Sequence, residues 1–258
     1  MYFKLTLLLL LWFGWTNLSI LLLIINMIVN KFHSKIFSIF CSNLGKEYEV
    51  LANSFKTELF KDLNDMKPGE KISVLEVGAG PGANFKYYNR DMNLQIVEPN
   101  QCFEPVFKIN KAKYPNLDIG DMKIGCFEDL PIEDSSVDAV VITLVLCSVE
   151  DQARCLREVK RVLKPGGKFF YMEHILDDVD GVHRLIQQVL TTVGFWQWAF
   201  AGCCLDRKTA EAIEAAGFSS VEQKKYDLPF RNFDISMIFT VVRTLVKRHV
   251  MGVATKKL

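Results

Sequence analysis

The sequence predicts an α/β fold: a doubly wound, mostly parallel sheet of seven strands, preceded by a helix that anchors the chain in a membrane. Three observations carry this. Short, β-branched apolar runs alternate with charged, amphipathic stretches from Ile72 to Ala216, the rhythm of parallel strands joined by crossover helices. The first run, Val74-Leu75-Glu76-Val77, passes straight into Gly78-Ala79-Gly80-Pro81-Gly82, a turn whose backbone can approach a ligand closely because glycine has no Cβ. Finally, Leu5 to Val29 contains no charged residue and is long enough to span a bilayer.

Taken in order, the apolar run ends in Asn30-Lys31 without the small-residue cleavage site of a secretory signal, so it reads as a retained anchor. Lys31, Lys35 and Lys46 follow it, against Lys4 and the amino terminus before it, which places the globular part in the cytosol. Gly14, Asn17, Ser19 and Asn26 also permit a shallow hairpin that enters and leaves on one side. Phe32, Ile36, Phe37, Ile39 and Phe40 are interleaved with Lys31, His33 and Lys35. They fit a helix lying on lipid headgroups or one packed on the domain. Residues 1–44 are thus the anchor and interfacial helix, and residues 45–258 the globular domain.

Leu51, Phe55, Leu59, Phe60 and Leu63 make a helix of Gly45 to Met66, covering the ligand mouth or joining anchor to domain, and Lys67-Pro68-Gly69 breaks it. Strands are expected from Ile72, at Leu94 to Val97, weakly at Leu117 to Met122, and at Val137 to Ile142, whose β-branched run suits burial on both faces. Cys102 to Lys113 and Gln152 to Leu163 are the intervening helices, the second stopped by Lys164-Pro165-Gly166-Gly167. Lys168 to His174 is the next strand, Thr209 to Ala216 a helix capped by Gly217, and Val221 to Tyr226 with Val250 to Thr255 a closing pair at one edge.

The glycine spacing alone also passes the pattern that cradles a dinucleotide pyrophosphate. Glu76 argues the other way. A carboxylate at the strand end repels a dianion but suits a ligand with an ammonium and a sulfonium, such as S-adenosylmethionine. Glu98 closes the second strand where an acid can accept both hydroxyls of a ribose.

Composition narrows the partners. A net charge of +1 with no long run of one sign excludes an electrostatic footprint for nucleic acid. Seven cysteines without a C-x-x-C pair, and no histidine cluster at metal spacing, fit a reduced compartment and no metal site. Cys203-Cys204 lack further ligands nearby in sequence.

With Glu76-x-Gly78-x-Gly80-x-Gly82, Glu98, Glu128-Asp129-Leu130-Pro131, Asp138 and Leu163-Lys164-Pro165-Gly166-Gly167 in order, the chain resembles the class I S-adenosylmethionine-dependent methyltransferases. Thr143-Leu144-Val145-Leu146-Cys147-Ser148-Val149, Glu173-His174, Gln187-Gln188-Val189, Gly202-Cys203-Cys204-Leu205 and His249-Val250-Met251-Gly252 extend the likeness. They are similar to the membrane-anchored thiol S-methyltransferases, the methyltransferase-like seven family. The resemblance implies an enzyme on endoplasmic reticulum or lipid droplets that methylates small lipophilic thiols. It implies cofactor contacts from Glu76, Gly78, Gly80, Gly82, Glu98, Phe127, Glu128 and Thr143. Two departures stand out: Cys126 where many class I enzymes have an Asp for the adenine amine, and Ala201 where the family typically has Asp.

Methyl transfer is an in-line displacement on activated carbon, so the protein mainly orients and keeps the pocket dry. His174, at the carboxyl end of an expected central strand, is the candidate base for a thiol, with a structural hydrogen bond as its alternative role. His249 is a weaker one, at the start of an edge strand. Leu144 and Cys147, together with Phe195, Trp196 and Trp198, are expected to line an apolar substrate pocket, although such aromatic density also fits plain core. Cys147 itself reads as a small buried hydrophobe rather than a nucleophile. Competing readings are methylation of a lipid or quinone at oxygen or carbon, a non-catalytic scaffold, and a nicotinamide-dependent reductase, which Glu76 disfavours.

Overall fold

Val137–Thr143 (β4) is buried at every position but its last, as a strand must be when helices cover both faces of its sheet. The computed structural model describes residues 33–39, 41, 45–89, 91–229 and 237–258, so the expected anchor between Leu5 and Val29 lies outside the described residues. Around β4 stand β1 (Ile72–Val77), β2 (Met92–Val97), β3 (Asp118–Lys123), β5 (Leu163–His174), β6 (Ser220–Asp227) and β7 (Arg248–Thr255). They form one seven-stranded sheet in the order β3-β2-β1-β4-β5-β7-β6. Only β7 runs antiparallel, paired with β5 on one side and β6 on the other. The helices are α1 (45–64), α2 (Glu104–Lys111), α3 (Gln152–Val162), α4 (Val182–Thr192), α5 (Phe195–Ala199), α6 (Thr209–Ala215) and α7 (Met237–Leu245). No helix among the described residues is long and apolar enough to cross a membrane.

Side chains alternate across the strands and so feed two cores. Val74, Ala139, Phe170 and Met172 share a core with Leu59, Phe60 and Leu63 of α1, Phe107 of α2 and Phe85 of the 3-10 turn Phe85–Tyr87. Leu75, Val140, Phe169 and Tyr171 face α3 and α6 through Leu156, Val159 and Ile213. Each such large apolar side chain contributes about 1.5–3 kcal/mol on burial. Strand order reverses between β1 and β4, and ligands of open α/β sheets sit at the carboxyl ends beside such a reversal.

The structure moves two expected boundaries and the place of one residue in the sheet. β5 begins at Leu163 rather than Lys168, because Leu163, the residue capping α3, is already extended and pairs with Val137. Gly166 takes a left-handed φ of +72°. A Cβ on Gly167 would lie 2.9 Å from the Lys164 carbonyl and 3.1 Å from that of Asp138, so the Pro-Gly-Gly run is a kink inside the strand and not a break before it. A turn of 3-10 helix, Gln101–Phe103, precedes α2. His249 is not on an edge strand, since β7 lies between β5 and β6.

Asp138, matched in sequence to the ligand-binding motifs, sits at the far, amino-terminal end of β4 and holds the fold together there. Its carboxylate accepts from the Ser73 amide at 2.9 Å, from Lys67 at 2.6 Å and from Lys164 at 2.9 Å. Burial opposes its charge, but these donors prevail and hold its pKa at about 2. A carboxyl lowered on folding stabilises above its unfolded value, near 4, and loses that stabilisation as pH falls toward 2. Asp138→Asn should therefore cost about 2 kcal/mol in urea unfolding at pH 7 and nothing measurable near pH 2. The wild-type minus variant difference across that window checks it.

Candidate active site

The turn after β1 is held from below by a chain of buried polar groups. Glu76, 1 % exposed, accepts from Asn84 Nδ2 at 2.8 Å and from the Tyr88 hydroxyl at 2.9 Å. The same Asn84 amide donates to Thr143 Oγ1 at 3.0 Å, and its oxygen accepts from Lys56 Nζ at 2.8 Å. Lys56 is buried on α1 and ion-paired with Glu49. Burial raises the Glu76 pKa and lowers that of Lys56, and the hydrogen bonds and opposite charges of this chain pull both back. Asn84 is thus fixed in orientation, carrying a bond from a buried ammonium to a buried carboxylate.

Gly78, Gly80 and Gly82 all have left-handed φ, +72°, +52° and +83°. Gly78 and Gly82 are required by packing: a Cβ would meet Val145 Cγ2, or Phe85 Cε2, at 2.3 Å. Gly80 differs, because a Cβ there meets nothing closer than the Phe103 ring at 3.9 Å. That leaves open space over the middle of the turn. Glu98 flanks it, buried, with one oxygen accepting from the Gly80 amide at 2.9 Å and the other from the Asn100 amide at 3.0 Å. Burial raises its pKa and the two amides partly offset this. A carboxylate accepts about four hydrogen bonds, so capacity remains on both oxygens. The helical segment 33–39 packs beside it: Asn100 Nδ2 donates to the Ser34 carbonyl at 3.3 Å, and Phe37 meets Phe103 edge-on at 6.3 Å. A cavity of about 790 Å³ lies against the turn between α1 and α2, lined by Glu49, Asn53, Pro81, Gly82, Val106 and Tyr114 and not including Gly80 or Glu98.

Other expected residues are placed less directly. Glu128 spends its carboxylate on its own surroundings, accepting from the Glu150 amide and from the Cys126 thiol, both at 2.8 Å. It therefore ties the 125–131 loop to the start of α3. Phe127 is half-buried against the α3 core. Leu144 holds a left-handed φ of +58° just after β4, strain that a non-glycine residue bears only where its surroundings impose it.

At the ends of β4 and β5 the structure gathers residues distant in sequence. Glu173, fully buried, accepts from the amides of Val145 at 2.8 Å, Leu146 at 3.0 Å and Cys147 at 3.4 Å. Burial lifts its pKa to about 7 against those donors. Beside it His174 Nε2 lies 3.0 Å from Cys203 Sγ, while its Nδ1 is buried with no partner among the described residues. Trp196 Nε1 donates to the same sulfur at 3.3 Å. Cys147 completes the group, its thiol pushed well up by the neighbouring Cys203 and by burial. His174, expected as a base, is thus committed to a buried thiol through Nε2. His249 pairs across the sheet with His174. Its Nδ1–H donates to the Lys247 carbonyl at 3.1 Å and its Nε2 accepts from Tyr48 at 3.0 Å. Burial and His174 push its pKa down to about 3. The aromatic run divides: Trp196 is 4 % exposed, but Phe195 and Trp198 are 56 % and 63 % exposed. Positions three apart share one helix face, and here that face looks outward, so these two do not turn inward with Trp196 as a shared pocket wall requires.

The comparisons decide the family. A methyltransferase-domain family model matches residues 75–171. Over 211 residues the chain is 37 % identical to human thiol S-methyltransferase TMT1A, covering 81 % of each. It is 36 % identical over 205 residues to rat thiol S-methyltransferase TMT1B, covering 79 % of each. The chain belongs to the methyltransferase family of these proteins. Its fold recurs in a Haemonchus contortus phosphoethanolamine N-methyltransferase solved with S-adenosylmethionine, at TM-score 0.57 and 13 % identity over 78 % of this chain and 52 % of that one. It recurs too in the [4+2]-cyclase SpnF, at 0.55 and 17 % over 78 % and 80 %. The protein is an S-adenosylmethionine-dependent methyltransferase, and the open space at Gly80 beside a half-satisfied Glu98 fits that cofactor, whose sulfonium supplies an activated methyl group.

Asn84, Tyr88, Lys56 and Glu173 were not anticipated as site residues. One signal was present for Lys56: on α1 it falls in line with Ala52, Leu59 and Leu63, all buried, where a lysine must find a partner. The network predicts separable effects. Lys56→Met should destabilise the methyltransferase by about 3 kcal/mol, since it leaves buried carboxylates unpaired. Gly82→Ala should destabilise by about 2 kcal/mol or more. Gly80→Ala should cost only about 1–2 kcal/mol yet lose cofactor binding. Chemical denaturation and calorimetric titration, run on all three variants, separate the two kinds of loss.

Proposed function

We propose that this methyltransferase transfers the methyl group of S-adenosylmethionine to a small lipophilic thiol, at the cytosolic face of the endoplasmic reticulum or on lipid droplets. The observation that carries the acceptor class is the likeness, across four fifths of the chain, to proteins named thiol S-methyltransferases. In this reading Glu98 accepts the two ribose hydroxyls, Gly78 and Gly80 pass beneath the methionine portion, and Glu76 with Asn84 holds the turn and offers its remaining acceptor capacity to the ammonium. Thr143, Leu144 and Cys147 form the floor on which the acceptor rests, next to Trp196. Phe127 and Glu128 shape the adenine side, Glu128 by fixing the loop. What these residues do is bind, orient and exclude water.

The membrane reading rests on the uncharged run from Leu5 to Val29 and on an exposed apolar surface of the described residues. Val182, Leu185, Ile186, Val189 and Val193 recur along α4 at helical spacing and are exposed, as are Phe195 and Trp198 on α5. His33 lies against Trp198, ring centroids 5.7 Å apart, and Ile36 and Ile39 of that helical segment are exposed beside it. An apolar face of this extent fits a lipid surface.

Glu98→Ala should weaken S-adenosylmethionine binding about 100-fold, the loss of two charge-assisted hydrogen bonds of about 1.5 kcal/mol each. Calorimetry measures it, and near-normal affinity would refute the ribose assignment. A panel of alkanethiols, phenols and quinols tested for labelled-methyl transfer decides the acceptor, with transfer expected to thiols. For the membrane, deleting residues 1–32 should convert salt-resistant attachment into weak vesicle binding, and Phe195→Asp with Trp198→Asp should then abolish what remains in flotation assays.

A further inference from the structure

Cys147, His174 and Cys203 come from three separate elements, the loop after β4, the end of β5 and the loop before α6, and all three are buried. One ligand atom from each lies within 4.8 Å of the others. Two thiols and an imidazole buried together place three ligands suited to one soft metal ion within reach of it. We propose that these three side chains bind a zinc ion whose fourth position receives the sulfur of the methyl acceptor. The proposal deepens the thiol reading above and depends on it only for the identity of the fourth ligand.

The donor set is the argument for zinc. Two thiolates and an imidazole suit that ion, and two thiolates neutralise its charge inside an apolar surround of Leu205, Leu245 and Trp196. Zinc bonds of about 2.3 Å to sulfur and 2.0–2.1 Å to nitrogen set tetrahedral ligand atoms roughly 3.5–3.8 Å apart. The His174 Nε2 to Cys203 Sγ distance is 3.0 Å, so the cluster opens by a few tenths of an ångström to admit the ion. Structural zinc sites are closed by a fourth side chain, whereas catalytic ones keep three protein ligands and an open position. Among the described residues no fourth histidine, cysteine or acid joins the group, and the neighbouring Cys204 thiol turns to the Gly202 carbonyl at 3.5 Å.

The surroundings are built to hold these ligands. Glu173 fixes the 145–147 loop by its amides, and Trp196 Nε1–H donates to Cys203 Sγ, the kind of outer contact that orients a metal ligand. Val145 in the same loop packs on the Gly78 turn, so the ion stands beside the methyl donor's place. An acceptor thiol that enters the fourth position breaks its S–H bond, the proton leaves to solvent, and the electron pair stays on sulfur, held by the ion. His174 is then a ligand rather than a base.

The test uses the full chain, purified in detergent under reducing conditions and stripped with a chelator. Reloaded with zinc, it should retain one ion per chain by mass spectrometry. Cys204→Ser should retain it equally, while Cys147→Ser with Cys203→Ser should not. Trp196→Phe should weaken zinc affinity by about 10- to 100-fold. Should the double variant fail to fold, cobalt in the unaltered protein gives a second reading: thiolate-to-cobalt absorption of two sulfurs, rising to three on adding an alkanethiol and unmoved by the alkanol of equal length. Retention no better than in the double variant, a Cys147–Cys203 disulfide in place of metal, or an unchanged cobalt spectrum with thiol would each overturn the proposal. Full methyl transfer to thiols by the metal-free chain would overturn it too while leaving the thiol reading intact. Zinc bound at one equivalent with no thiol ever methylated would do the reverse.

Discussion

The cofactor turn depends on a carboxylate that must stay buried. Glu76 has no contact with bulk water to share its charge, and a lone carboxylate in such a place would protonate. Two neutral donors, Asn84 and Tyr88, take its oxygens, and Asn84 in turn holds Lys56, which brings a positive charge from α1. The Lys56–Glu49 pair and the Tyr87 hydroxyl on Glu49 extend the chain toward the surface. Because each group satisfies the next, α1, the turn after β1 and the end of β4 at Thr143 form one cooperative unit. The three left-handed glycines adopt that conformation without strain, and this unit fixes the backbone on either side of them.

That arrangement also explains which features were legible. Gly78, Gly80, Gly82 and Glu98 lie within one strand-turn-strand stretch, so local spacing reveals them. The strand pattern was equally local, clearest in the β-branched runs of β1, β4 and β7 and weakest in the polar β3 and β6. Lys56 and Asn84 meet across 28 positions, and Cys147, His174 and Cys203 meet through the sheet's topology, which no spacing encodes. Cysteine counting looks for residues near one another in sequence and therefore does not register such a group. The insertion of β7 between β5 and β6 brings His249 inside for the same non-local reason. Aromatic density misled in another way: it says nothing of helical phase, and a single position separates the buried Trp196 from the outward Phe195.

Glu128 spends its carboxylate on its own surroundings. It stands in the loop where the resemblance puts it, but its carboxylate caps the Glu150 amide and takes the Cys126 thiol. With Cys126 in place of the Asp common in class I enzymes, that thiol is a donor to Glu128 rather than a free acceptor for an adenine amine. The fold itself is neutral on such questions, since a cyclase and an N-methyltransferase share it and differ in what their loops present.

The same logic bears on the acceptor. A hydroxyl ionises far above neutral pH and needs a strong, free base, whereas a thiol, near pKa 8.5, is already partly ionised. Among the described residues the titratable groups at this end of the sheet are each held by neighbours, His174 through Nε2 alone. Glu173 is held by three backbone amides, His249 is pinned between Lys247 and Tyr48 and kept neutral by burial, and His174 faces Cys203. The two buried sulfurs and their apolar neighbours at this end of the sheet support the proposed thiol acceptor, a weakly acidic group that needs less help to ionise than an alcohol.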